Sequence, residues 1–263
     1  MVWHKSPLHP ILITIALSAG LVAIPASLSR AQNGADAPAR SEIKAGWNSF
    51  EPPETGAPGR RVGGGTRSIC PAEARGLTAL VPQTNMGRTM SAHPTVILYV
   101  PALPTEMTVE FTVTAVSDDN YTPMSQQSFQ TVGGSTIALP LPETETSLDV
   151  GQLYYWDFSI VCNPKDKSGN IVVGGWIERV APTPTLTAEL QNASPEKAFE
   201  IYSREYIWYD AAASLALLRL AAPDDTTLAY SWQALLTAVG LEDIANAPLA
   251  TMTATPNNQS VAP

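Results

Sequence analysis

Hydrophobic and polar positions change their period along this chain. Between Pro94 and Val180 apolar residues recur at every second position, or in short unbroken runs separated by turn residues, which is the pattern of β-strands. It predicts six strands, at residues 95–100, 108–116, 127–132, 136–141, 153–162 and 171–180. In the second, Val109, Phe111, Val113 and Ala115 alternate with Glu110, Thr112 and Thr114, as a half-buried antiparallel strand requires. The breaks at 102–105, 117–120, Gly133-Gly134 and 165–170 carry turn chemistry.

After Val180 the period becomes helical. One short helix is predicted at 184–191, and a second at 196–206, opened by Ser194 as N-cap with Pro195 at the first helical position. Trp208, Ala212, Leu215 and Leu218, and then Leu228, Trp232, Leu235 and Val239, step along two single apolar faces. Asp224-Asp225 suits the positive end of the last helix, and Gly240 suits its stop. This helix pair resembles one unit of a tetratricopeptide array, but a lone unit cannot bury its face. It is therefore expected to pack on the strands or on a partner. Trp208 and Tyr209, in the Ile207–Asp210 turn, are the candidate partner anchor, with core packing as the competing reading.

Six short strands at near-regular spacing predict an antiparallel β-sandwich. The run Leu148 to Tyr154 has the spacing Leu-x-x-Gly-x-x-Tyr, which resembles the tyrosine corner of fibronectin type III domains. The expected class is α+β: an immunoglobulin- or fibronectin-like sandwich followed by a small C-terminal helical segment.

The N-terminus sets the compartment. Lys5, an apolar run from Ile11 to Ile24, and small residues up to Ser29-Arg30-Ala31 have the form of a secretory signal peptide. The run is shorter than the about 20 apolar residues of a membrane span. The chain then divides into a signal peptide (1–31), a Pro-, Ala- and Gly-rich disordered linker (32–57), a Gly- and Arg-rich arm plus sandwich (58–181), a helical extension (182–247) and a disordered tail (248–263). No stable membrane span is expected after cleavage, and the protein is expected in the periplasm or associated with the envelope.

Composition narrows the chemistry. The chain has 15 basic and 24 acidic residues, a formal charge of −9, three histidines and two cysteines. Loss of residues 1–31 removes Lys5, Arg30, His4 and His9 but no acid, leaving His93 as the only histidine. The acidic balance excludes nucleic acid as a partner, because phosphates demand clustered Lys and Arg. In an oxidising compartment the pair Cys70 and Cys162 favours a disulfide, with two buried free thiols as the alternative.

Several motifs invite chemistry. Gly59 to Thr66, GRRVGGGT, has the frame of a phosphate loop, but Gly65 occupies its lysine position and no apolar strand precedes it. What survives is an arm containing Arg60, Arg61, Gly64, Thr66 and Arg67. It either binds an anion through guanidinium forks and backbone N–H groups or clamps onto the acidic sandwich; the clamp is preferred. Ser194-Pro195-Glu196-Lys197 and Lys167-Ser168-Gly169 imitate penicillin-binding boxes in the wrong order. His93 lacks a G-x-S-x-G nucleophile and further metal ligands, and reads as a packing residue. Asp166, Ser168 and Asn170 sketch a calcium loop without its Gly and terminal Glu. No catalytic residue, metal site or cofactor is expected.

Taken together, PGRRVGGGTRSICP, LTALVP, HPTVILYVP, YWDFSIVCNP, GWIERV and IWYDAAASL resemble the cyanobacterial family catalogued as domain of unknown function 928 (DUF928). The segment after His93-Pro94-Thr95 is more aliphatic here than that pattern. The resemblance implies an exported protein and transfers no functional residue. The leading expectation is a non-catalytic interaction module with an envelope protein partner. Binding of a small anion or glycan through the Arg-rich arm is the alternative, and a hydrolase of unknown type is the third reading.

Overall fold

The computed structural model describes residues 59–64, 69–117, 120–143 and 147–252, all of them within one compact unit. The expected signal peptide and linker, Thr66, Arg67 and residues 253–263 lie outside the described residues. Nine strands occur among them: β1 (Thr78–Ala79), β2 (Met86–Thr89), β3 (Thr95–Val100), β4 (Met107–Ser117), β5 (Asn120–Thr131), β6 (Ser135–Pro140), β7 (Leu153–Ile160), β8 (Ile171–Arg179) and β9 (Leu249–Thr251). Between β8 and β9 lie α1 (Pro184–Gln191), α2 (Pro195–Arg204), α3 (Trp208–Ala221) and α4 (Thr226–Ala238).

The strands form a four-stranded sheet, β1-β3-β6-β9, and a five-stranded sheet, β2-β8-β7-β4-β5. Neighbours are antiparallel except β2 with β8 and β6 with β9. All six predicted strands and all four predicted helices are present. β5 starts seven residues earlier than expected, at Asn120 rather than Gln127. Its first half contains Pro123, and the β4–β5 register shifts between Val113 and Thr114, opposite Ser125 and Pro123. A bulge of this kind breaks the period-two signal.

β1, β2 and β9 span two, four and three residues, too short to show a period. β9 lies where a disordered tail was expected, because Leu249, Ala250 and Thr251 find partners in Thr136, Ile137 and Ala138 of β6.

Burial explains the two kinds of strand pattern. On β4, Val109, Phe111 and Val113 are buried while Glu110, Thr112 and Thr114 are partly exposed, so one face meets the core and the other meets water. On β3, Val96, Ile97 and Leu98 are consecutively buried, and β6 buries Thr136 to Leu139 in the same way. Unbroken burial requires cover on both faces. α3 supplies part of it, packing against β2, β3 and β9. Trp208, Leu215, Trp232 and Leu236 of the helices belong to the same hydrophobic core as Val96, Phe111 and Trp156 of the sheets. α3 and α4 thus bury these four side chains within the chain itself.

Local signals act as their chemistry requires. Ser194 caps α2 by accepting the Lys197 N–H, and Asp225 caps α4 by accepting those of Thr227 and Leu228. Before β7 the Tyr154 hydroxyl accepts the Asp149 N–H at 2.7 Å, and the turn between them passes through Gly151 at φ 79°, a left-handed conformation that glycine adopts without strain. Arg179 of β8 ties the same corner by donating to the Leu148 carbonyl.

Candidate functional site

Residues 60–63 of the Arg-rich arm are drawn into the fold. Val62 bridges Thr78 of β1, the Ala79 N–H donates to the Arg61 carbonyl, and the Gly63 N–H donates to that of Leu77, both at 2.7 Å. The Arg61 guanidinium crosses to the helices, where Nη2 donates to the Val239 carbonyl at 2.7 Å. Val239 ends α4, so the cation meets the negative end of a helix. Burial lowers the Arg61 pKa, while the charge of Glu242 acts the other way. Arg60 folds back to donate to the Gly64 carbonyl at 3.0 Å.

The disulfide Cys70–Cys162 anchors the stretch that follows the arm to the end of β7, with Cα atoms 5.1 Å apart. Closing a loop with a sequence separation of 92 contributes up to about 4–5 kcal/mol in the chain-entropy description.

Trp208 and Tyr209, the expected partner anchor, point inward and are only 1% and 2% exposed. The Trp208 indole donates to the Leu80 carbonyl at 2.9 Å. The Tyr209 hydroxyl accepts from the Trp156 indole at 2.8 Å and donates to the Trp176 carbonyl at 3.0 Å. Burial pushes its pKa well above that of an exposed phenol. Close approach of α3 to β2 is possible because Gly87 has no side chain; a Cβ there would lie 2.9 Å from the Tyr209 ring and 3.0 Å from Trp208. These two residues join helix to sheet and present no surface to a partner. The aromatic helix start was legible in the sequence, but its inward direction follows from the small residue opposite it.

A cavity of about 150 Å³ opens beside this junction, between the start of β3, α2 and α3. Ser91, His93, Tyr202, Asp210, Ser214 and Leu217 line it. Asp210, in the first turn of α3, accepts the Thr89 hydroxyl at 2.6 Å and the Met90 N–H at 3.1 Å on Oδ2. Burial raises its pKa against the pull of these bonds. Ser91 Oγ accepts the His93 N–H at 3.1 Å, whereas His93 Nε2 is buried with no hydrogen-bond partner.

The cavity therefore gathers serine, histidine and aspartate without linking them into a proton relay: Asp210 is held by β2 and the loop after it, and Ser91 meets the main-chain N–H of His93 rather than its Nε2. His93 was noticed in the sequence. Asp210, Ser214 and Tyr202 were not identified as site residues, since they join His93 only through the docking of α2 and α3.

The penicillin-binding likeness also dissolves into local structure. Ser194 Oγ receives the Lys197 N–H at 3.3 Å, and Lys197 Nζ pairs with Glu200 at 2.7 Å. In the apparent calcium loop, Asp166 Oδ1 accepts the Ser168 N–H and hydroxyl, and Asn170 Oδ1 accepts the Cys162 N–H.

The chain matches the sequence profile of the family described as Domain of Unknown Function (DUF928) over residues 62–249. It belongs to the DUF928 family. No curated protein matches the chain. The matched span of this DUF928 chain runs from Val62 to the first residue of β9, so it takes in the helices and nearly all of both sheets and leaves Arg60 and Arg61 outside.

Two further surfaces of the DUF928 unit bear on function. On the open face of the five-stranded sheet, Asp157 lies across from Thr112 and Gly174. Burial and the nearby charge of Glu110 push its pKa up to about 6, opposed by Lys167, which itself pairs with Glu110 at 2.7 Å. The second surface is β5, twelve residues long and, among the described residues, paired on one side only, with β4. Its sequence, NYTPMSQQSFQT, contains no charged residue. Edge strands usually carry charges, prolines or bulges that discourage pairing. Here Pro123 and the bulge guard the first half, and the half from Ser125 to Thr131 has no such guard.

The disulfide suits a compartment in which disulfides persist. Among the described residues no helix is long and apolar enough to cross a membrane.

Proposed function

We propose that the protein is an exported, envelope-associated interaction module without a catalytic role, and that it engages an envelope protein partner by strand addition along β5. The observation that carries this reading is the uncharged, singly paired edge from Ser125 to Thr131, in a chain that has 24 acidic residues elsewhere to spend on such an edge. Main-chain groups of an open edge supply affinity, and alternate side chains supply selectivity. The basic N-terminal flank and apolar run at Ile11–Ile24 support export by a cleaved signal peptide, and the disulfide agrees with that route.

We read the architecture as an immunoglobulin-like sandwich. The order β1-β3-β6 in one sheet and β8-β7-β4-β5 in the other parallels the A-B-E and G-F-C-C′ orders of that fold, and the Tyr154 bond to Asp149 supports it. β5 then takes the place of an outer edge strand. The Arg-rich arm acts in this reading as a clamp, supported by the Arg61 bond to the α4 terminus.

The test is retention of partners from envelope extract by the chain and by a Gln126→Lys/Gln130→Lys double variant, which places charge at two exposed positions of the edge. A discrete partner held by the unaltered chain and lost by the variant, at equal melting temperature, is expected. Equal retention by both, or none by either, overturns strand addition along β5.

A further inference from the structure

The cavity beside His93 is separate from the β5 edge and has a chemistry of its own. We propose that it is a binding site for a small neutral polyol, up to the size of a single sugar ring. Its volume of about 150 Å³ is that of an engineered cavity able to accept one six-membered ring.

Its polar lining is dominated by hydroxyls. Those of Tyr202, Ser214 and Thr95 hold no hydrogen bond to another described residue, and His93 Nε2 is buried without a partner. A hydroxyl both donates and accepts, and therefore serves each of these three hydroxyls. The Tyr202 ring and Leu217 add apolar wall for the C–H face of such a ligand.

Charged ligands fit less well. Among the described residues no Lys or Arg lines the cavity, and the net charge of −9 opposes an anion. A cation would look to Asp210, but Oδ2 already accepts two hydrogen bonds, and burial drives that carboxyl toward its neutral form.

The full chain has three histidines, His4, His9 and His93, so the imidazole resonances of His93, which report on the site, are assigned as those lost in His93→Gln. The experiment titrates the full chain with D-glucose and with glycerol, and separately with methylammonium and acetate, while following the His93 imidazole signals and saturation transfer to the probe. Expected are saturable shifts of His93 with glucose or glycerol, with a dissociation constant of about 1–10 mM. Binding should be at least about tenfold weaker in Ser214→Leu, which fills the cavity, at an unchanged melting temperature.

Silence of His93 toward both polyols overturns the proposal. So does a response to methylammonium or acetate alone, or polyol binding that Ser214→Leu leaves intact. If Ser214→Leu does not fold, the His93 titration of the unaltered chain still decides the matter. Failure here leaves the β5 reading standing, because the Gln126→Lys/Gln130→Lys variant does not touch this cavity.

Discussion

β3 and β4 bury side chains in one hydrophobic core, yet they meet solvent differently. β3 is covered on both faces, so Val96, Ile97 and Leu98 are buried in succession. β4 is covered on one face, so Phe111 and Val113 are buried and Thr112 between them is not. Hydrophobic pattern therefore reports how many layers lie over a strand, as well as the presence of the strand. An aliphatic run such as TVILYV implies a third layer, here the helices, before any helix is placed.

Alanine substitution gives the largest effects and breaks the comparison most directly. Ile97→Ala and Leu98→Ala, on opposite sides of β3, should each cost about 2–5 kcal/mol. On β4, Phe111→Ala should cost about 3–5 kcal/mol, while Thr112→Ala stays within about 0.5 kcal/mol. Urea denaturation of the four variants checks this. An Ile97→Ala variant as mild as Thr112→Ala would remove the cover over the second face of β3.

A smaller effect separates two buried tyrosine hydroxyls. Tyr209→Phe leaves the Trp156 indole without its hydroxyl acceptor and removes the hydroxyl donor from the Trp176 carbonyl, and should cost about 1–3 kcal/mol. Tyr154→Phe releases one backbone N–H beside a turn that includes exposed Val150 and Gly151, where water replaces the hydroxyl, and should cost about 0.5–1.5 kcal/mol. Thermal unfolding of both variants ranks them; the reverse order would mean that the corner, rather than the helix-to-sheet junction, holds the two sheets in place.

The smallest effect belongs to the open sheet face. The folded Asp157 carboxyl has its pKa raised from 3.8 to about 6, so the folded state binds this proton more tightly than the unfolded state does. The contribution of Asp157 to stability is most favourable below about pH 4 and is lost as pH rises to about 6. Asp157→Asn should raise stability at pH 8 by about 1–2 kcal/mol, allowing for partial solvent screening, and leave it nearly unchanged at pH 3.5. Urea midpoints at the two pH values check the sign; a variant less stable at pH 8 would show that the charged carboxylate is needed on that face.

Elements with a full period of hydrophobic pattern were legible in the sequence. Thr95–Val100 and Pro184–Gln191 match their predicted bounds, the Ser194 cap acts where predicted, and Asp225, expected only as a charge at the positive helix end, caps α4. β1, β2 and β9 were not legible, since two to four residues carry no period and each exists only through a neighbouring strand. The cavity was half legible. His93 stood out by its rarity, but Asp210 lies more than a hundred residues away and looks like an ordinary acid in a first helical turn.

The sequence by itself determined the presence of the six longer strands and the four helices, the pairing partners available to the two cysteines and the corner at Tyr154, because each depends on periodicity, scarcity or short-range hydrogen bonding. Only the tertiary structure decided that Arg61 ends on the α4 terminus, that Trp208 and Tyr209 turn inward, and that His93, Tyr202, Asp210 and Ser214 share one cavity. Those outcomes depend on which faces meet when separate elements dock. Periodicity within one element says that a face is apolar, and the shape of the opposing surface, as at Gly87, says what that face will touch.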